Sequence, residues 1–364
     1  MKKRRESDLV RQRVSTRRAL SLAQCPRPYC HDKSGTSLKR AFGRTIVPAP
    51  VSLSFFDEAY DPFAAFLKRL NAAASNGRVL IDMQPVKSVK TAALLVLYAT
   101  IERLQSTCQD KLIIKTTCCS SKEVSMVFRT YGIWNLTSES RTRPAAGFPN
   151  SLSICTMSNE AHRRKDQTEL RKVLKYTQNA ILQSDMDEGG LLAYNAITES
   201  ISNVWQHAYD DSFFATPVPD AHKNWWIIVQ HVGDQFFIAV YDMGAGIPAT
   251  ISKKPWAAAL IESISAIFDV KVISSPDAKS IKAAVDYGKS RFKLDNRGKG
   301  LTEAKDFVQR NPEGSLLIYS GLGHYEYKTQ GDDENLETLS SPFWGTLIQW
   351  NLMLEKKDEA ENHD

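Results

Sequence analysis

The sequence predicts an α/β protein of the α+β kind, organised as two domains. Three observations carry this. The chain has 364 residues, too long for one average domain and long enough for two cores. Between about residues 46 and 140, short β-rich apolar runs alternate with helical stretches, the pattern of a sheet covered by helices. Beyond residue 150, helical segments precede paired strand patterns, which predicts a mixed sheet with helices on one face.

Residues 1–45 hold thirteen Lys/Arg against three Asp/Glu, a net of +10, so the rest of this +6 chain sums to −4. A solvated, disordered arm outside either fold is expected there, with non-specific attraction to nucleic acid or an anionic surface as its functional reading. No apolar h-region follows the basic start, so a secretory leader is not expected. The longest apolar run, "AALLVLYATI" (92–101), is too short to span a bilayer, and no membrane partner is expected. The six cysteines form no framework. Cys25 and Cys30 in "CPRPYCH" lack a second ligand pair for zinc. Free thiols imply a reducing compartment, hence a cytoplasmic location.

In the first domain (46–140), "FDEAYDPFAAFLKRLNAAASNG" reads as a helix stopped by Asn76-Gly77. "RVLIDM" is a strand, and "TAALLVLYATIERLQ" a helix with Leu94, Leu95, Tyr98 and Ile101 on one face. "KLIIKTT" is a second strand, and "SSKEVSMVFRTYGIWNL" a helix that ends at Gly132. "SRTRPAAGFPN", with two Pro and a Gly, is the linker, placed at 141–150. The second domain (151–354) opens with the helix "QTELRKVLKYTQNAILQ" and a second helix around 190–209. "NWWIIVQHVGDQFFIAVYDMG" gives two strands about a Gly233-Asp234 turn. A long segment with helical pieces, 247–296, follows. "RGKGLTEAKDFVQR" is helical, and "GSLLIYSG" and "WGTLIQWNLML" are strands. Residues 355–364 form a polar tail.

Four signals bear on chemistry. The helix "AITESISNVWQHAY" (196–209) carries an apolar stripe of Ile197, Ile201, Val204, Trp205 and Ala208. Opposite it, Asn195, Glu199, Asn203 and His207 recur every four residues, as either a wet face or one wall of a site. Strand "FFIAVYD" ends in Asp242 and runs into "DMGAGIP", which sets a carboxylate beside the bare backbone of Gly244 and Gly246. Asp-x-Gly is also common turn chemistry. In "NRGKGLTEA" (296–304), Gly298 and Gly300 open a helix, whose free N–H groups suit phosphate, with Arg297 and Lys299 adding positive charge. In "WGTL", Gly345-Thr346 sets a hydroxyl at the start of the last strand.

Together, in this order, these motifs resemble the GHKL ATPase superfamily, the ATP-binding α/β sandwich of gyrase B, MutL and histidine kinases, over about residues 190 to 354. "ITESISNVWQHAY" looks like the N box, closest to that of the anti-sigma-factor serine kinases. "DMGAGIP" looks like the G1 box, "RGKGL" like the G2 box and Gly345-Thr346 like the G3 element. "IKAAVDYGKSRF" (281–292) resembles the helix and Gly-x-Ser before the G2 box. The resemblance implies ATP and Mg²⁺ as cofactors, with Asn203 as the Mg²⁺ ligand and Glu199 as the residue that orients or deprotonates the attacking group. It implies that Asp242 accepts from the adenine amino group, that Gly244 and Gly246 let the backbone approach the base, that Arg297, Gly298, Lys299 and Gly300 meet the phosphates, and that Thr346 supports Asp242. His207 receives no chemistry. The charged residues of the G2 box and the fifty-residue lid at 247–296 depart from the anti-sigma kinases.

Residues 78–137 are similar in pattern to STAS domains, the anti-sigma-factor antagonist fold. "VLIDMQPVKSVKTAALLVLYATIERLQ" matches the strand–loop–helix and "SSKEVSMVFRTYGIWNLT" the next helix. Where that family has Asp-Ser-Ser-Gly, this chain has Lys90-Thr91-Ala92-Ala93. Thr91 is the hydroxyl in the acceptor position and Ser88 lies nearby, but a purely structural role for this domain is expected. No sensor-kinase dimerisation helix precedes the ATPase-like unit, and His162 in "NEAHRRKD" lacks a phosphoacceptor setting.

Three functions remain open at this point: a protein that hydrolyses ATP or is switched by it, a serine/threonine kinase of the anti-sigma type, and a non-catalytic interaction module. Intact Glu199, Asn203 and Asp242 speak against the third. A protein partner, or self-association through the STAS-like domain or the lid, is expected. Lid closure on nucleotide is expected to bury apolar surface such as "WAAALIESISAIF" against the STAS-like part or a second copy.

Overall fold

Parallel strands need crossovers, and the helices of the first half supply them. The structure, a computed structural model, describes residues 39–139, 151–158, 164–182, 189–268, 275–287 and 300–354. The chain enters through β1 (Arg40–Ala41), β2 (Arg44–Pro48) and the short β3 (Ser52–Leu53). Helix α1 (Tyr60–Ser75) leads to β4 (Val79–Asp82), and β5 (Ser88–Val89) leads to α2 (Thr91–Thr107). β6 (Ile114–Thr116), α3 (Lys122–Thr130) and α4 (Ile133–Leu136) follow. The sheet order is β1-β2-β4-β6, with β2, β4 and β6 parallel and β1 antiparallel to β2. β3 pairs with β5 in a separate two-stranded ladder. Gly132 takes φ +89, so α3 stops at the expected place and the chain turns sharply into α4.

Two readings of this half change. The sheet begins before residue 46, because β1 and the first two residues of β2, Arg44 and Thr45, fall inside the stretch assigned to the basic arm. The Arg44 guanidinium donates to the carbonyls of Val79 and Ile113, at 3.2 and 3.1 Å, so a basic residue ties neighbouring strands together. Helix α2 is also more than one-sided. Ala92 through Leu97, Ala99, Thr100, Ile101 and Leu104 are buried around its circumference, as expected of a helix enclosed on every side.

The second half begins with β7 (Ser151–Ser158), α5 (Arg164–Leu182) and α6 (Gly189–Asn203), whose last turn widens into a π-turn at Val204–Ala208. β8 (Asn224–Val232) and β9 (Gln235–Asp242) form a hairpin. Three helices follow, α7 (Ile247–Ser252), α8 (Ala257–Phe268) and α9 (Pro276–Asp286). α10 (Gly300–Gln309) precedes the long hairpin of β10 (Ser315–Lys328) and β11 (Asp333–Met353). The sheet order is β10-β11-β9-β8-β7, and every pair is antiparallel. The expected mixed sheet is therefore corrected to an antiparallel one. Two of its four pairings have a local cause: the β8–β9 and β10–β11 hairpins turn on left-handed residues, Gly233 at φ +64 in one and Gly331 and Asp332 at φ +84 and +48 in the other. The sequence patterns also understated the last hairpin. Register shifts at Ser320/Gly321 and Gly321/Gly323 break the alternation in β10, so "GLGHYEYK" does not read as a strand.

Helices α5, α6, α9 and α10 cover one face of this sheet. Ile197, Ile201, Ile281, Phe307, Ile238 and Trp350 share that core. Segment 247–296 is thus not one lid. Within α9, Ala278, Ile281 and Val285 are integral to the main core, and the buried Lys282 ties α9 to Glu334 of the hairpin at 2.8 Å. α8 instead rests on α9 through a small separate cluster, in which Trp256 stacks on Tyr287 with ring centroids 3.9 Å apart.

The other sheet face is covered by the first half of the chain. Val47, Phe55, Phe63, Leu95 and Ile101 share one core with Trp226, Tyr241, Tyr319 and Leu347. Polar contacts frame it: the Thr91 hydroxyl donates to Gln230 at 2.5 Å and the Tyr60 hydroxyl to the Ser341 carbonyl at 2.8 Å. The Glu102 carboxylate accepts from the Trp226 indole at 2.6 Å and the Thr156 hydroxyl at 2.8 Å. No helix among the described residues is long and apolar enough to cross a membrane.

Candidate functional site

Strand alternation places the key carboxylate. Phe236, Ile238 and Val240 of β9 lie in the core beneath α6, while Ala239 and Tyr241 face the first half of the chain. Asp242, two residues past Val240, therefore shares the face covered by the helix that carries Glu199 and Asn203. It is 5% exposed. Burial pushes its carboxyl up to about 7, against the pull of the Gly244 and Thr346 backbone N–H groups. The Gly244 N–H donates to it at 2.8 Å.

The loop after Asp242 is pinned on both sides. The Ala245 N–H donates to the Ala208 carbonyl at 2.8 Å, at the end of the π-turn that continues α6. The Met243 N–H donates to the Tyr209 hydroxyl at 3.2 Å, and Tyr209 in turn donates to the Asn224 carbonyl. A Cβ on Gly244 would lie 2.2 Å from the Ala208 oxygen. Its bareness thus already serves close packing between helix end and loop, a second reason for glycine beside approach to a base. Gly345 is equally constrained, at φ +80 with a Cβ position 1.9 Å from the Asp242 carbonyl oxygen. Gly246, at φ +83, sits against the Ser320 hydroxyl.

Thr346 pairs directly with Asp242 across the β9–β11 ladder. Its hydroxyl lies 3.3 Å from that of Ser320, which donates to the Gly345 carbonyl at 2.9 Å and accepts from the Ile247 N–H at 2.9 Å. Asp242, Gly244, Gly246 and Thr346 are therefore brought together as the motifs predict. Glu199 and Asn203 are both half-buried on α6, and Asn203 directly precedes the π-turn, a distortion frequent at functional sites. His207 is kept below its usual range by burial and by Lys254 of the segment after α7. Gly300 opens α10, which packs along α6. Arg297, Gly298 and Lys299 lie outside the described residues, as do His162, Cys25 and Cys30.

Three residues of the site escaped sequence reasoning. Tyr209 follows the polar row directly, but the four-residue spacing that singled out the row does not include it. Ser320 sits at the β10 register shift, where alternation fails. Trp225 pairs with Asp242 on the other side, across β8 and β9. It is fully buried, and its indole N–H has no hydrogen-bond partner among the described residues.

No family model matches the chain, and no curated protein matches it.

Proposed function

We propose that the chain is a Mg²⁺-dependent ATP-binding protein of the GHKL type, which hydrolyses ATP or uses it as a switch to control a partner through its STAS-like half. The observation that carries this reading is Asp242: a buried carboxyl at a strand end, cross-strand from Thr346, on the face lined by the Glu199–Asn203 helix. A buried carboxylate at that place is costly unless something hydrogen-bonds to it. An exocyclic amino group is a fitting donor.

The residues fit the cofactors in kind. Asn203 offers one hard amide oxygen for Mg²⁺, and no three His, Cys, Asp or Glu side chains converge as a metal cage among the described residues. A cation there would depend on phosphate oxygens for its remaining ligands, as Mg²⁺ commonly does. When bound, it would neutralise phosphate charge. Glu199, one helical turn before Asn203, would orient or deprotonate the nucleophile. The N-terminal end of α10, which opens at Gly300, would face phosphate.

Phosphotransfer to a protein is the second reading. The Thr91 hydroxyl, already bonded to Gln230 at 2.5 Å in the interface between the two halves, disfavours this chain's own STAS-like half as the acceptor. Incubation with γ-labelled ATP tests the proposal: free phosphate supports hydrolysis, and label on protein supports a kinase. Binding without either supports a switch, and no binding rejects the reading.

A further inference from the structure

The first half of the chain does more than cover a sheet face. One side chain of α2 reaches the turn that leads into β8, the strand that pairs with β9 and its Asp242. The Arg103 guanidinium donates to the His222 carbonyl, two residues before β8 begins at Asn224. Asn224 is the residue whose carbonyl accepts from Tyr209, and Tyr209 accepts from Met243 beside Asp242. Arg103 is also within electrostatic reach of Tyr209 and of Tyr241, the residue before Asp242. Its neighbour Glu102 holds Trp226 and Thr156, so the end of α2 grips β7 and β8 at adjacent positions.

We infer that Arg103 is a positioning residue for the Asp242 site, through which the STAS-like half sets the geometry of the loop 243–246. The path is contiguous: Arg103 to the 220–224 turn, Asn224 to Tyr209, and Tyr209 to Met243, with Ala208 holding Ala245 alongside. Arg suits this role because a planar, permanently charged fork holds a carbonyl beside aromatic hydroxyls without losing its proton. A partner that shifts α2 would disturb this contact. The effect on nucleotide rests on the proposed ATP reading, whereas the effect on loop order does not.

Arg103→Met keeps the aliphatic stem and removes the fork, and Arg103→Lys keeps the charge. Hydrogen exchange on the full chain, without added nucleotide, reads the loop directly. We expect the amides of 205–224 and 243–246 to exchange about tenfold faster in Arg103→Met, with partial rescue in Arg103→Lys. Peptides from β10, the 347–352 part of β11 and α9 should be unchanged. Unchanged exchange in the loop overturns the inference. So does uniform acceleration across the chain, which would mark Arg103 as a general stability contact. In parallel, ATP affinity of Arg103→Met should fall about tenfold, while a parent chain that binds no ATP would reject the proposed function and leave the exchange result standing.

Discussion

Replacing Asp242 by Asn should stabilise the protein at high pH while weakening its ligand. The folded-state carboxyl titrates near 7, raised by burial, whereas an unfolded Asp titrates near 3.9. A folded value raised above the unfolded one means stability that is complete below about pH 4 and is lost as pH rises through about 7. The gap is worth about 4 kcal/mol above pH 7. Asn abolishes that cost. It keeps one acceptor for the Gly244 N–H and loses the second toward Thr346, at about 1–3 kcal/mol. The variant should therefore be more stable than the parent by about 1–3 kcal/mol at pH 8, and about equal to it or less stable at pH 5. Thermal unfolding without nucleotide, at pH 5, 6, 7 and 8, checks this. A gain of about 2–4 °C per kcal/mol is expected for a unit of this size. A pH-independent difference between the two proteins would refute a buried, raised carboxyl at 242.

ATP affinity of the parent should rise between pH 6 and pH 8 as Asp242 ionises, since the ionised form is the better acceptor; isothermal titration at each pH measures it. Glu199→Ala should bind ATP as the parent does and lose turnover by about 10²–10⁴-fold in a phosphate-release assay, the range for a general base. Gly345→Ala should destabilise by at least about 2 kcal/mol in denaturant titration, because a Cβ there meets the Asp242 carbonyl in a left-handed backbone. Deleting residues 1–38 should leave the melting transition unchanged, while deleting 1–45 should lower it by removing β1, Arg44 and the start of β2. Nucleotide-dependent protection in hydrogen exchange should fall in α7 and α8 more than in α9, whose apolar face is already locked in the core.

The sequence was informative where local chemistry decides. Gly132 and Gly233 punctuate the chain at left-handed positions, and strand alternation in β9 puts Asp242 beneath the helix of Glu199 and Asn203. What stayed hidden was set by long-range packing. The all-round burial of α2 is a consequence of two sheets meeting on it. Strand β10 loses its period at two register shifts. Segment 247–296 reads as one insertion, yet Ala278, Ile281 and Val285 belong to the main core while Trp256 and Leu260 belong to a satellite. Arg103, Tyr209 and Ser320 matter through bonds to backbone atoms far along the chain, and such bonds leave no spacing to detect.

Calorimetric titration of Mg²⁺-ATP into the full chain at pH 8, beside the folded Asp242→Asn variant, tests the central claim most directly. The account predicts saturable binding at one site per chain, weakened in the variant by about 1.5–3 kcal/mol, the worth of a hydrogen bond to a charged group. No binding by the folded parent, or equal affinity in both proteins, would contradict it.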